Sequence, residues 1–120
     1  MIARATAYFA DVDRFDVDAI MKHFHADCIM EVPTHGVMRR GPAEVRETYA
    51  KRKEMLAASW HGDFKFMADP DASRLAVRVA VGRTFLDGRK TMIDNVTILE
   101  FNGDKISRVS AWMAGENTLK

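Results

Sequence analysis

Few side chains in this sequence could move a proton near neutral pH, and their spacing limits what they can do together. The four histidines are His23, His25, His35 and His61. His35 lies in the loop Pro33-Thr34-His35-Gly36 directly after an apolar run, and its imidazole suits a general acid or base. His61 precedes Phe64 and could reach the mouth of a pocket. For both, an exposed loop histidine is the competing reading. His23 and His25 are two apart in a segment read as helical, so they do not share a face. No HxxxH, HExxH or Cys/His set occurs, and neither a metal nor a cofactor is expected. A second group lies near the C-terminus. Counting by twos from Phe101, one face of a strand carries Ile93, Asn95, Thr97 and Leu99. Asn95 and Thr97 on that face could hold a carbonyl or hydroxyl group. Asp94 would point away unless a bulge reversed the pattern, in which case it becomes a candidate acid. Arg78 interrupts a valine-rich strand, exposed by default, with an inward carboxylate clamp as the alternative.

The elements that would position these groups read as helices first and strands afterwards. Ile2, Ala5, Phe9 and Val12 fall at helical spacing. Asp16 can cap a second helix whose apolar face is Val17, Ile20, Met21 and Phe24. Cys28 to Val32 is a strand stopped by Pro33, and the chain then loops to Arg40. Gly41-Pro42 opens a third helix, with Val45, Tyr49 and Leu56 facing the core and Glu47–Lys51 paired on the wet side. After Ser59 the period becomes two. Phe64 and Phe66 alternate with polar residues, Asp69-Pro70-Asp71 turns the chain, and Leu75, Val77, Val79 and Val81 alternate again. Asp87-Gly88 is a hairpin signal, and the last strand runs from Ile106 to Met113. Helices followed by an antiparallel meander predict an α+β domain. Met30, Val32 and Met113 are expected as apolar wall around a ligand, methionine being suited to an irregular cavity. Val96 and Ile98 make the opposite face of their strand apolar as well, which predicts a homodimer through that face.

Composition narrows the function classes. A chain of 120 residues has room for one domain. With 48% hydrophobic and 29% charged residues it is an ordinary globular mix. A net charge of +1 argues against a nucleic-acid binder, and the two short basic clusters, Arg39-Arg40 and Lys51-Arg52-Lys53, read as solvated faces. Cys28 is alone, so no internal disulfide can form and a reducing cytoplasm is the expected compartment. No signal-like N-terminus and no apolar run long enough for a bilayer is present, so no membrane partner is expected.

The order of motifs resembles the NTF2-like superfamily, within it the SnoaL-like and ketosteroid-isomerase-like branch. The resemblance rests on Tyr8-Phe9-Ala10, Phe15-Asp16-Val17-Asp18-Ala19-Ile20 and Phe24-His25-Ala26-Asp27 at the start. It continues through Met30-Glu31-Val32-Pro33 and Arg40-Gly41-Pro42-Ala43-Glu44-Val45-Arg46, then Gly88 to Thr91, Phe101-Asn102-Gly103 and Val109-Ser110-Ala111-Trp112. It implies a cone-shaped barrel of three N-terminal helices on a curved, mostly antiparallel sheet, a ligand pocket between them, and a homodimer. The isomerase pattern puts its oxyanion-hole tyrosine on Tyr8, its general base on Val32 and its second acid on Thr97. Two carboxylates are thus absent, which speaks against ketosteroid isomerase chemistry itself. The resulting expectation is a cofactor-independent enzyme that moves protons on a small hydrophobic carbonyl compound, as an isomerase, cyclase or dehydratase. Tyr8, His35 and Asp94 are its candidate catalytic groups, with Met30, Val32, His61, Asn95, Thr97 and Met113 around the substrate. A non-catalytic binding protein for such a ligand is the alternative.

Overall fold

The structure, a computed structural model, describes residues 1–120. Helix α1 (Ile2–Asp13) buries Ala5, Tyr8, Phe9 and Val12, the stripe that a 3.6-residue period selects. Helix α2 (Val17–Met21) is short. The Asp16 side chain accepts a hydrogen bond from the Ala19 N–H at 3.1 Å, as expected of an N-cap. The chain is already extended at Phe24, where strand β1 (Phe24–Val32) begins, so Phe24 belongs to the sheet rather than to the second helix. After a 3-10 turn at Pro33–His35 comes the short strand β2 (Val37–Arg40), then helix α3 (Gly41–Ala50). Two helices, not three, precede the first strand, because the β1–β2 hairpin intervenes before α3. Helix α3 stops at Ala50, and a 3-10 turn over Lys51–Glu54 leads into β3 (Leu56–Asp69), where Leu56 serves as a strand residue. That turn carries Arg52 inward. It is 3% exposed, which corrects the reading of the Lys51–Lys53 cluster as a solvated face.

Strands β4 (Arg74–Phe85), β5 (Lys90–Asn102) and β6 (Lys105–Trp112) complete one six-stranded sheet in the order β2-β1-β6-β5-β4-β3. All neighbours are antiparallel except β1 and β6. The chain enters mid-sheet, crosses to the far edge through α3, and returns by a meander that closes against β1. Helices α1 and α3 cover one face. Against them lie Leu75, Val77, Val79 and Val81 of β4 and Asn95, Thr97, Leu99 and Phe101 of β5, all buried. Each aliphatic side chain so buried stabilises the fold by roughly 1.5–3 kcal/mol. The period-two reading of β5 therefore holds, including the outward turn of Asp94, Val96 and Ile98.

Strand β3 departs from strict alternation. Its pairing with β4 shifts between Gly62 and Lys65, and Asp63 adopts a positive φ of 52°. The extra residue reverses the parity, so His61 before the bulge and Phe64 after it share the inner face. Both rings lie against Phe9, with centroids at 5.0 and 5.4 Å. On the outer face the Trp60 ring lies across Gly62, where a Cβ would come within 2.1 Å of the indole. Only glycine leaves room for that ring.

Candidate active site

A cavity lies between the helices and the inner sheet face. Tyr8, Phe9 and Val12 of α1, Tyr49 of α3, His61 of β3 and Val79, Val81 and Arg83 of β4 line it, with Asn95 and Thr97 of β5. Met113, Thr118 and Leu119 of the segment after β6 close it. Its free volume is about 40 Å³, enough for a few waters at about 10–15 Å³ each but short of the roughly 150 Å³ that holds a benzene ring.

Three polar arrangements meet in this apolar enclosure. The first is a histidine held by a carboxylate. His61 Nδ1 lies 2.5 Å from Asp13 Oδ1, and the His61 backbone N–H donates to Asp13 Oδ2 at 2.8 Å. The Ser59 hydroxyl also donates to Asp13 Oδ1, at 3.0 Å. An ionised carboxylate only accepts, so Nδ1 carries a proton, and in the neutral imidazole the lone pair is then on Nε2. Behind this pair, Arg52 donates to the Val12 carbonyl and to Ser59 Oγ, each at 2.9 Å, and its guanidinium stacks on Phe15. Replacing Asp13 with alanine should therefore strip three donors of their acceptor at once. The expected loss is about 3 kcal/mol of stability, read as a lower urea midpoint with an unchanged slope. An unmoved midpoint would mean that the Asp13–His61 contact is not made in solution.

The second arrangement is a pair of phenols. The Tyr8 and Tyr49 hydroxyls hydrogen-bond to each other across the helix pair. Burial pushes the Tyr8 phenol up to about 12, against the opposing effects of the Tyr49 hydrogen bond and of Arg52. Tyr49 is raised well above the usual tyrosine range, chiefly by burial and then by Tyr8 itself. Both phenols are thus protonated at neutral pH. One proton lies between the oxygens, and the other remains to be donated to a ligand. The third arrangement is a polar patch on the sheet. Asn95 Oδ1 accepts from the Ala114 N–H at 3.1 Å, which leaves its NH₂ as a donor beside Thr97.

The cavity therefore gathers Tyr8, His61, Asn95, Thr97 and Met113 from the residues singled out in the sequence. It does not gather His35 or Asp94. His35 is exposed and binds Thr34 Oγ1 and the Gly115 carbonyl, both at 2.9 Å, so it anchors the closing segment from outside. Asp94 lies on the outer face, where Arg78 donates to its Oδ2 at 2.5 and 2.9 Å. Arg78 is accordingly outward, and the inward arginines are Arg52 and Arg83. Met30 and Val32 are wholly buried in the core rather than in the cavity wall. Asp13, Tyr49, Arg52 and Arg83 are not among the site residues singled out in the sequence. Tyr49 is expected only as a core residue, and Arg83 follows the inward parity of Val79 and Val81. Pairing across 40 or more residues brings Asp13, Tyr49 and Arg52 to the site. No three histidine, cysteine or acidic side chains converge in a metal-binding arrangement. No helix is long and apolar enough to cross a membrane.

A helix-covered curved sheet with one such enclosure defines the class, and comparison with known proteins agrees. The model of the SnoaL-like domain matches residues 5–109, and the chain belongs to that family. Among solved structures it is similar to a protein assigned as a polyketide cyclase from Pseudomonas putida KT2440, with a TM-score of 0.84 and 20% identity over 92% of this chain and 89% of that one. It is also similar to a protein of ketosteroid isomerase-like fold from Catenulispora acidiphila DSM 44928, in complex with trimethylamine. There the TM-score is 0.83 and the identity 15%, over 92% and 85% of the two chains. TerC, co-crystallised with polyporic acid, gives 0.82 and 20%, over 94% and 90%. At these identities the likeness concerns the fold. A search of the curated proteins found no match.

Proposed function

We propose that the protein is an enzyme that moves a proton on a small, largely apolar carbonyl compound, in a reaction of the isomerase, cyclase or dehydratase type. The observation that carries this reading is His61 held at Nδ1 by Asp13, with Nε2 left as a base in an apolar cavity. His61 Nε2 takes a proton from the carbon beside the carbonyl. The Tyr8–Tyr49 pair donates a hydrogen bond to the oxygen as it gains negative charge, where a donor in a dry site acts strongly. Asn95 and Thr97 orient the substrate. Imidazolium then returns the proton to another carbon, or to a departing hydroxyl as it leaves as water, so the reaction balances without a redox partner. His61 replaces His35 and Asp94 as the proton-moving group. A ring-sized substrate requires the wall made by Thr118 and Leu119 to shift, since the enclosure is otherwise too small.

The test is exchange of protons beside the carbonyl in heavy water, followed by NMR over a panel of cyclic ketones and diketones. Exchange is read on the starting compound itself, whatever product forms. Catalysed exchange with at least one compound is expected. Binding without exchange across the panel would favour a non-catalytic binding protein, a reading that the buried Val32 at the family's base position supports.

We further propose a homodimer through the outer sheet face. Trp60 and Met92 flank Gly82 in one row, and Val96 pairs with Trp112 in another, all at least 38% exposed apart from the glycine. Contiguous apolar rows of this kind usually mark an interface. Val96→Glu should convert the dimer to a folded monomer in sedimentation at micromolar concentration. A wild-type monomer under the same conditions would refute the proposal.

A further inference from the structure

Arg83 is 3% exposed and lines the cavity, yet no carboxylate lies within ion-pair distance of it. A guanidinium carries five N–H donors. In Arg83 only Nη1 has partners, the Glu116 carbonyl at 2.5 Å and the Met113 sulfur at 3.8 Å. Its Nε–H is buried without any acceptor. The Phe85 ring, 5.5 Å away, covers one side. Arg52 in the same wall differs, because both of its terminal nitrogens are satisfied. Asp13 is the one carboxylate of the site, and it is already committed to Ser59 and His61. The cavity lining thus holds two guanidinium groups and no carboxylate. Asp13 acts on Arg52 from beside it, and the exposed Glu116 acts on Arg83 from beyond ion-pair distance. A buried charge with unmade hydrogen bonds costs several kcal/mol unless a counter-charge arrives. Consistent with this, burial lowers the proton affinity of both arginines, and Arg83 is among the groups that depress Arg52.

We propose that the cavity is built for an anionic ligand, and that Arg83 binds a carboxylate on the carbonyl compound that His61 acts upon. This rests on the preceding reading for the cavity and for His61 as the group that acts on the bound compound, whereas the anion preference itself depends on Arg83 alone. The planar fork of Arg83 suits the two oxygens of a carboxylate. The Asn95 NH₂ from the neighbouring strand offers a further donor. The Glu116 carbonyl is the acceptor the carboxylate would displace, which links ligand entry to release of the closing segment.

Titration calorimetry with benzoate and with benzamide, its uncharged counterpart of nearly the same shape, tests this. Wild type should bind benzoate at least tenfold more tightly than benzamide. Arg83→Met, which removes a buried charge and so should remain folded, is expected to abolish that preference, and Arg83→Lys to retain part of it. His61→Gln should keep the preference while losing proton exchange in heavy water, so failure of the catalytic reading and failure of the anion site give different results. Equal affinity for the two compounds, no binding of either, or a benzoate preference that survives Arg83→Met would overturn the proposal.

Discussion

His61→Gln is expected to lower the rate of proton exchange on a reactive carbonyl compound by about 10²–10⁴, the usual worth of a positioned general base. Glutamine approximates the reach of histidine and can still donate to Asp13, so the β3–α1 contact should persist, but it has no lone pair of useful basicity. Melting temperature and benzoate affinity should change little. Asp13→Asn should also slow exchange, by less, because it keeps the shape of the pair while removing the charge that stabilises imidazolium. The decisive comparison is single-turnover exchange in wild type and His61→Gln at equal occupancy. A rate unchanged by the substitution would remove His61 from the chemistry and with it the proposed mechanism.

Tyr8→Phe carries the second large effect. The ring would keep its edge-to-face contacts with Phe9, Phe24 and Tyr49, whose centroids lie 5.0, 5.9 and 6.2 Å away. Only the hydroxyl is lost. If the phenol pair stabilises an oxygen that becomes charged in the transition state, removing one member should cost about 10²–10³ in rate. Stability should fall by about 1–3 kcal/mol, since the buried Tyr49 hydroxyl loses its partner. Tyr49→Phe separates the two phenols. A smaller rate loss there would identify Tyr8 as the donor to substrate and Tyr49 as the group that positions it. Paired melting and exchange measurements on both variants decide the matter. A lower melting temperature with intact turnover would make the pair a packing contact only.

Much of the scaffold is legible from local pattern. Asp16 caps α2 through a bond three residues long, and Glu47 pairs with Lys51 at 3.1 Å, because both depend on near neighbours and helical geometry. Alternation places Asn95 and Thr97 inside and Asp94 outside, because β5 keeps an unbroken register with β4 from Lys90 to Glu100 and must alternate there. Sequence order also carries the family, since the motifs between Tyr8 and Trp112 are local.

The site itself is another matter. His61 would share a face with Asp63 if β3 alternated strictly. The extra residue at the Gly62–Lys65 shift turns His61 and Phe64 to the same side, and a bulge exists only relative to a partner strand. Asp13 closes one helix and meets His61 48 residues later, while Tyr8 meets Tyr49 across 41. Arg52 sits in a basic run whose flanking lysines are exposed, and the 3-10 turn after α3 alone sends it inward. Arg83 continues the inward parity of Leu75, Val77, Val79 and Val81, so alternation turns it inside, but its unfilled hydrogen bonds do not follow from that alternation. Sequence determined which residues form each element and which face they share. Tertiary structure decided which of those faces meet, because burial, register and hydrogen-bond satisfaction are properties of pairs of segments rather than of either segment alone.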